Sequence, residues 1–194
     1  MTKKSLTFGT SAVLVAALAA GCASVPDQPT AAARTPLTVQ EVNNAQQGWC
    51  DALLSISKAY AEGKDYKTIA AAVLSNNYNY DNGIVLFKPT LAFGDQSFRL
   101  DKEGAAAYFI GGNPKYPNDK GFALKPWVKC SYTNAGDNTG VLIEGDIAAT
   151  MGNVFFTDNK GNVTTVDKLF VFKRGADGKL RIIVHKSALP FKPS

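Results

Sequence analysis

A histidine and a serine two residues apart are the first candidates for chemistry in this chain, which contains no other histidine. They stand in the segment 180–189, where apolar and polar residues alternate as in a strand. Because successive side chains on a strand point to opposite faces, we expect Ile183, His185 and Ser187 to share one face. Ile182 then belongs to the other face. Neighbours on one face lie roughly 7 Å apart, so a small polar ligand or a water could touch both. This spacing predicts a small polar pocket.

Three helices are predicted, all of them before residue 111. Thr38 and Glu41 have the spacing of a capping box, which predicts a helix start. Apolar residues then recur at intervals of three and four as far as Tyr60, and Gly63 ends the pattern. A second helix is predicted after Asp65, and a third, short one over 101–110 before a pair of glycines.

Strands dominate the rest of the chain, separated by turns rich in Gly, Asn and Asp. The last strands are joined by short connections at 158–162 and 175–179, which predicts an antiparallel meander. Helices followed by a curved antiparallel sheet give an α+β fold with one inserted helix. The predicted strands cover 84–88, 127–133, 141–157, 163–173 and 180–189.

The N-terminal residues are typical of an export signal. Lys3 and Lys4 precede an apolar stretch, and a small-residue cleavage region ends at Cys22. This pattern resembles a bacterial lipobox, although Ala19 stands where leucine is preferred. We therefore expect a signal peptide over 1–21, lipidation at Cys22, a tether over 22–37 and one folded domain over 38–194. Ala23 after the lipid cysteine resembles the sorting rule for the outer membrane, which places the protein in the periplasm of a Gram-negative cell.

Cys50 and Cys130 are the two cysteines besides the predicted lipidation site Cys22. An oxidising periplasm permits a disulfide between them. Two buried, unpaired cysteines are an equally acceptable interpretation.

The formal charge of +5 is no sign of nucleic-acid binding. The basic residues are scattered through predicted strands and turns rather than gathered in a patch. A small anionic ligand is compatible with this charge.

Three short motifs occur together in a characteristic order and spacing, with two further segments between them. They are F-K-P-T at 87–90, Y-F-I-G-G-N at 108–113 and H-K-S-A-L-P at 185–190, with G-F-A-L-K-P-W at 121–127 and M-G-N at 151–153. Together they resemble the iota-class carbonic anhydrases, a family similar to the association domain of calcium/calmodulin-dependent protein kinase II. The similarity extends from about residue 49 to residue 190.

The resemblance implies a cone of the nuclear-transport-factor-2-like superfamily. In that fold a strongly bent antiparallel sheet wraps around N-terminal helices, encloses a pocket, and often pairs subunits into homodimers or higher homo-oligomers. The implied reaction is the reversible hydration of carbon dioxide to bicarbonate. The residues that match the family's substrate-binding hydroxyls are Thr90, Tyr108 and Ser187, and His185 completes the implied catalytic set.

The last motif departs from the family pattern at two positions. Lys186 stands where a second histidine is common, and Ala188 where a second serine is common. Strand alternation puts both on the face opposite His185 and Ser187, so the pocket need not change. A metal-binding or proton-relay role for a second histidine is lost.

Metal-free chemistry ranks first among the mechanisms. A catalytic zinc takes three protein ligands, and a site with three histidines is impossible here. A zinc site of Cys50, Cys130 and His185, or a carboxylate site for another metal such as manganese, remain open alternatives. Without a metal, hydroxyls can orient water and stabilise charge on the substrate oxygens, and His185, which titrates near neutrality, can take or pass on the proton.

Two other functions stay open. The first is a non-catalytic module that binds a small ligand or organises an oligomer on the same cone. The second is an isomerase of the ketosteroid type, which needs an acidic base inside the pocket. Asp146 and Asp167 are the candidates for this base on predicted strands, and both are expected to face solvent.

Overall fold

The computed structural model describes residues 35–193, which form three helices and a six-stranded sheet. The helices are α1 Val39–Ala61, α2 Tyr66–Asn77 and α3 Lys102–Ile110. The strands are β1 Leu86–Lys88, β2 Trp127–Asn134, β3 Val141–Glu144, β4 Ile147–Asp158, β5 Val163–Arg174 and β6 Leu180–Ala188. Residues 1–34, with the predicted signal peptide and Cys22, and residue 194 lie outside the described part.

The helix boundaries follow from their caps. Thr38 and Glu41 form the predicted capping box, in which each side chain bonds the other's backbone N–H. The Asp65 and Asp101 side chains cap α2 and α3 by accepting from the backbone N–H groups of Thr68 and Gly104. Gly111 ends α3 at φ 63°, a conformation that favours glycine. The three helices predicted from these signals are confirmed.

The sheet has the strand order β1-β6-β5-β4-β2, and β3 pairs with β4 at its side. It is bent and unclosed, and its inner face packs against the helices around an aromatic core. The predicted α+β class and the antiparallel meander of β4, β5 and β6 are confirmed. One pairing was not foreseen: β1 lies parallel to β6, with Phe87 opposite His185.

Two details of the predicted strands are wrong. The segment 141–157 is a hairpin rather than one strand, because Gly145 makes a turn at φ 55° and places Asp146 in that turn. A bulge in β6 skips Ile183, so that Phe172 pairs with Ile182 and the alternation shifts by one residue. Ile182 therefore joins His185 and Ser187 in the core instead of facing away.

A disulfide bond and a buried leucine hold the first residues of the described domain against its core. The Sγ atoms of Cys50 on α1 and Cys130 on β2 are bonded to each other. Leu37, assigned to the tether from sequence, is 6% exposed and packs in the core. Among the described helices, none combines the length and the apolar character that crossing a membrane requires.

Candidate active site

Two hydroxyl groups meet where β1 leaves the edge of the sheet. The Oγ1 atom of Thr90, two residues after β1, lies 2.5 Å from the Oγ atom of Ser187 on β6. Either oxygen can be the donor. The half-buried Lys88 ammonium donates to the backbone carbonyls of both residues, at 3.3 and 3.4 Å. The parallel pairing of β1 with β6 brings this hydroxyl pair together across 97 residues of sequence.

Tyr108 on α3 adds a third hydroxyl beside this pair. Its ring is buried, and its hydroxyl makes no hydrogen bond of normal geometry to any described residue. Burial raises the pKa of Tyr108 to about 12, opposed by the nearby Thr90 side chain and the backbone of Leu91. Thr90 is thus a close neighbour of the tyrosine hydroxyl, although the geometry falls short of a bond. A buried hydroxyl without a partner is an unused donor and acceptor, which a small ligand could satisfy.

A pocket of about 90 Å³ opens onto Tyr108. It has room for only a few water-sized molecules. We call it the Tyr108 pocket, and its lining residues are Leu91, Tyr108, Asn118, Asp119, Lys120, Gly121, Phe122 and Lys125. A larger groove of about 600 Å³ between α1 and the start of β2 contains none of the four predicted site residues. The small pocket matches the size of a triatomic or carbonate-like ligand better.

Asp119 is the one carboxylate that lines the Tyr108 pocket in the part of the chain described here, and sequence analysis did not single it out. Arg99 donates to both of its oxygens, at 3.0 and 3.2 Å, and both side chains are buried. Both carboxylate oxygens are therefore occupied by hydrogen bonds from Arg99. An isomerase base must be free to take a proton, so the geometry does not favour that alternative. Asp146 lies in a turn, and Asp167 accepts a hydrogen bond from Asn153 at 2.9 Å.

His185 lies on the same face of β6 as Ser187 but has other partners. It is 2% exposed, its Nδ1 atom is 2.8 Å from the Tyr78 hydroxyl, and its Nε2 atom is 3.0 Å from the Lys168 Nζ atom. Burial lowers the pKa of His185 well below 6.5, and a proton on the neighbouring Lys168 would lower it further. The expectation that this histidine titrates near neutrality is therefore wrong. The ring is neutral, and both of its nitrogens are occupied by these two side chains.

The structure thus brings Thr90, Ser187 and Tyr108 together and sets His185 behind them in a separate buried network. Sequence reasoning missed both partners of the histidine. Tyr78 lies in a polar run just after α2, where no sequence pattern marks it as a partner of His185. Lys168 had a signal that was overlooked, because it occupies an inward position in a strand whose neighbouring inward residues are Val166 and Phe170.

A metal centre finds no support in the described ligand set. No group of three or more His, Cys, Asp or Glu side chains in residues 35–193 is arranged to hold a metal ion. Cys50 and Cys130 are bonded to each other, so the zinc site proposed from these cysteines and His185 is contradicted.

Similarity to known proteins extends over most of the chain. The model of a family described as metal-independent carbonic anhydrase matches residues 40–189. A metal-independent carbonic anhydrase from Nostoc sp. strain PCC 7120 is 45% identical over 170 residues, which cover 84% of this chain and 81% of the relative. The crystal structure of a cyanobacterial iota-carbonic anhydrase complexed with bicarbonate is 44% identical, with a TM-score of 0.78, over 81% of this chain and 95% of that chain.

A more distant structure shows the fold alone. The crystal structure of a protein described as a calcium/calmodulin-dependent protein kinase II association domain from Xanthomonas campestris is 19% identical with a TM-score of 0.51. The alignment covers 84% of this chain and all of that one. The resemblance inferred from the sequence motifs is confirmed for the family and for the fold. The chain belongs to the metal-independent carbonic anhydrase family.

Proposed function

We propose that Thr90, Ser187 and Tyr108 hold the oxygen atoms of the substrate while carbon dioxide is hydrated to bicarbonate. The observation that carries this proposal is the Thr90–Ser187 hydroxyl pair, 2.5 Å apart beside a tyrosine hydroxyl that has no partner. The bicarbonate in the cyanobacterial relative's structure supports a carbonate-like ligand for this chain as well.

The three hydroxyls can perform the essential steps without a Lewis acid. A water oxygen forms a bond to the carbon, one C=O pair of electrons moves onto its oxygen, and the proton of the attacking water passes to a solvent water, which leaves bicarbonate in the site. In the Thr90–Ser187 pair, one oxygen can accept a hydrogen bond from the attacking water while the other donates to the developing oxyanion. Tyr108, with its raised pKa, stays protonated and can donate at any physiological pH. The Lys88 ammonium places a positive charge behind the pair.

Such a site must be a weaker catalyst than a zinc hydroxide. Zinc lowers the pKa of its bound water from 15.7 to about 7. Hydroxyls orient the water and stabilise the product charge, but they do not generate hydroxide. Low turnover is expected.

The test is a stopped-flow assay of carbon dioxide hydration on metal-stripped protein with Thr90→Val, Ser187→Ala and Tyr108→Phe. Each variant should lose about 10²-fold in kcat, the usual cost of one oxyanion donor. Thr165→Val, on β5 away from the hydroxyls, is the matched control and should keep the wild-type rate. Unchanged rates in all three site variants would remove the hydroxyls from the mechanism. Loss of wild-type activity on metal stripping alone would favour a metal site.

The same assay separates the non-catalytic alternative. A ligand-binding or oligomerising module would bind bicarbonate, or assemble, with no rate enhancement in the wild-type protein. Isothermal titration with bicarbonate, run beside the rate assay, distinguishes binding from turnover.

We also propose that the protein is exported to the periplasm and anchored to the outer membrane through lipid on Cys22. The bond between Cys50 and Cys130 supports an oxidising compartment. Cell fractionation of a Gram-negative host provides the test: the wild-type chain should sediment with outer membranes and Cys22→Ser should not. Equal distribution of both would reject the anchor.

We also propose that the protein forms a homodimer through the outer face of its sheet. The outer face of the sheet exposes Met151, which is 58% accessible and pairs in register with Leu169 on β5. An antiparallel sheet with apolar residues on its open face can bury them against a second copy. Light scattering should show a dimer that Met151→Lys weakens, and a monomer at all concentrations would contradict the proposal.

A further inference from the structure

Four buried polar side chains form a continuous hydrogen-bonded chain behind the hydroxyls. The Trp49 indole N–H donates to the Tyr78 oxygen at 2.8 Å. Tyr78 is 2.8 Å from the Nδ1 atom of His185, and the Nε2 atom of His185 is 3.0 Å from Lys168 Nζ. All four residues are at least nine-tenths buried. We call these residues the Trp49–Lys168 chain.

Counting the protons decides the direction of this chain. An indole N–H can only donate, so the Tyr78 oxygen already receives one hydrogen bond. If Lys168 were an ammonium, it would donate to Nε2 and the proton on Nδ1 would point at Tyr78. The Tyr78 oxygen would then accept twice, and its own hydrogen would have no acceptor among its described contacts.

A neutral Lys168 removes that conflict. Trp49 donates to Tyr78, Tyr78 donates to Nδ1, and the Nε2–H group of His185 donates to the lone pair of the Lys168 amine. Every contact in the chain then has one donor and one acceptor. Because an unsatisfied buried donor costs about 1–3 kcal/mol, this arrangement is preferred.

The surroundings of Lys168 also favour the neutral amine. Its Nζ atom lies 4.1 Å from the centroid of the Trp49 ring and 5.3 Å from that of Phe170. A cation over these rings would gain about 2 kcal/mol. Removing an ammonium from water costs several kcal/mol, and no described carboxylate bonds this one, so desolvation outweighs the gain. Among the described residues, His185 on β6 is the titratable group that contacts the Lys168 amine from another element. Burial accordingly lowers the pKa of Lys168 well below 10.5.

We propose that Lys168 is a neutral amine that accepts a hydrogen bond from His185 and ends a chain in which every donor points the same way. This fixes His185 as the uncharged Nε2–H tautomer and thereby positions the substrate-binding hydroxyls. Lys168 and Tyr78 are positioning residues in this scheme, because neither touches the hydroxyl pair. The second half of the proposal rests on the proposed function of Thr90, Tyr108 and Ser187.

The coupling to the hydroxyls runs through Phe87. The His185 ring stacks on the Phe87 ring with centroids 4.5 Å apart and an interplanar angle of 22°. On another side, Phe87 meets Tyr108 edge to face at 5.8 Å. Phe87 is three residues before Thr90, and His185 is two before Ser187. A fixed imidazole therefore holds β1 against β6 where their hydroxyls meet.

Nuclear magnetic resonance directly tests the first half of the proposal, the tautomer of His185, since the chain has one histidine. In full-length protein labelled with ¹⁵N-histidine, the ring should show a protonated Nε2 and a bare Nδ1. This pattern should persist below pH 6.5, the ordinary pKa of the group. Protonation of Nδ1 alone would mean that Lys168 donates, and a doubly protonated ring at neutral pH would mean a charged histidine. Either result would overturn the proposal.

Kinetic measurements test the second half of the proposal, the positioning of the substrate-binding hydroxyls. Tyr78→Phe removes the donor to Nδ1 and should lower kcat for carbon dioxide hydration by about tenfold to a hundredfold, with little change in KM. Tyr80→Phe makes the same change in a stacked neighbour outside the Trp49–Lys168 chain and should stay within about twofold. Wild-type kcat in Tyr78→Phe would overturn the positioning role. An inactive wild-type protein with the expected tautomer would refute the proposed function and leave the chain's direction intact.

Discussion

Lys168→Met should remove a specific part of the pH dependence of stability. The folded-state pKa of Lys168 lies well below the 10.5 of the unfolded chain, because burial disfavours the ammonium. Between those two values the unfolded state binds one more proton than the folded state. Stability therefore rises with pH across this window, and the penalty for burying the amine disappears above 10.5.

The size of the effect follows from that single proton. One proton of difference gives a slope of about 1.4 kcal/mol per pH unit, so two pH units inside the window are worth about 2.7 kcal/mol. Tyr78 and Tyr108 have raised pKa values, which lower stability as pH rises, but only near and above their ordinary pKa of 10. The lowered pKa of Lys88 adds a slope of the same sign in both proteins. The difference between wild type and Lys168→Met isolates the buried amine.

Urea unfolding with the disulfide intact measures this difference between about pH 7.5 and 9.5. The wild-type free energy of unfolding should rise by about 2.7 kcal/mol more than that of Lys168→Met. Lys160→Met, which removes an exposed lysine from a turn, is the matched control for the loss of one positive charge. Parallel pH profiles for wild type and Lys168→Met would show that Lys168 keeps its proton in the fold, and the reasoning about the Trp49–Lys168 chain would fail.

Three further changes test the scaffold. Replacing both Cys50 and Cys130 by alanine opens a loop spanning 80 residues and should lower the free energy of unfolding by about 4 kcal/mol in a urea titration. Thr38→Ala removes the capping box and should cost about 1 kcal/mol by the same measurement, so a change near zero would contradict the cap. Gly152→Ala would place a Cβ atom against the backbone oxygen of Thr133, and we expect a drop in Tm of many degrees, whereas a wild-type Tm would show that β2 can move aside.

Local signals predicted most of the framework. Caps are local: the capping threonine bonds a residue three positions away, so sequence alone located the start of α1. The hairpin turns are local too. Asp158 bonds the backbone of Lys160 and Asn162 in the turn before β5, as the cluster of Gly, Asn and Asp predicted. The hairpin at Gly145 was missed although Gly145 and Asp146, between two apolar runs, form a two-residue hairpin signal.

The bulge in β6 shows where strand alternation fails. A single unpaired residue, Ile183, reverses the pattern for everything before it, so Ile182 faces the core while His185 and Ser187 keep their predicted face. The bulge arises from pairing with β5, where Phe172 must also stay buried. That requirement comes from the partner strand and cannot be seen in β6 alone.

The sequence revealed Thr90 and Ser187 but not the partners of His185, and the reason lies in what each identification requires. Thr90 and Ser187 were found through motifs that resemble a known family, and a motif match requires no knowledge of how the chain packs. Tyr78 and Lys168 act through His185, across separations of 107 and 17 residues, and only the packed core brings them together. Even so, a lysine at an inward strand position is a contradiction visible in the sequence. Burying an ammonium costs several kcal/mol, so such a lysine must be paired, exposed or neutral. In this fold the partner is an imidazole, which offers no opposite charge, and that leaves the neutral amine as the form the core can hold.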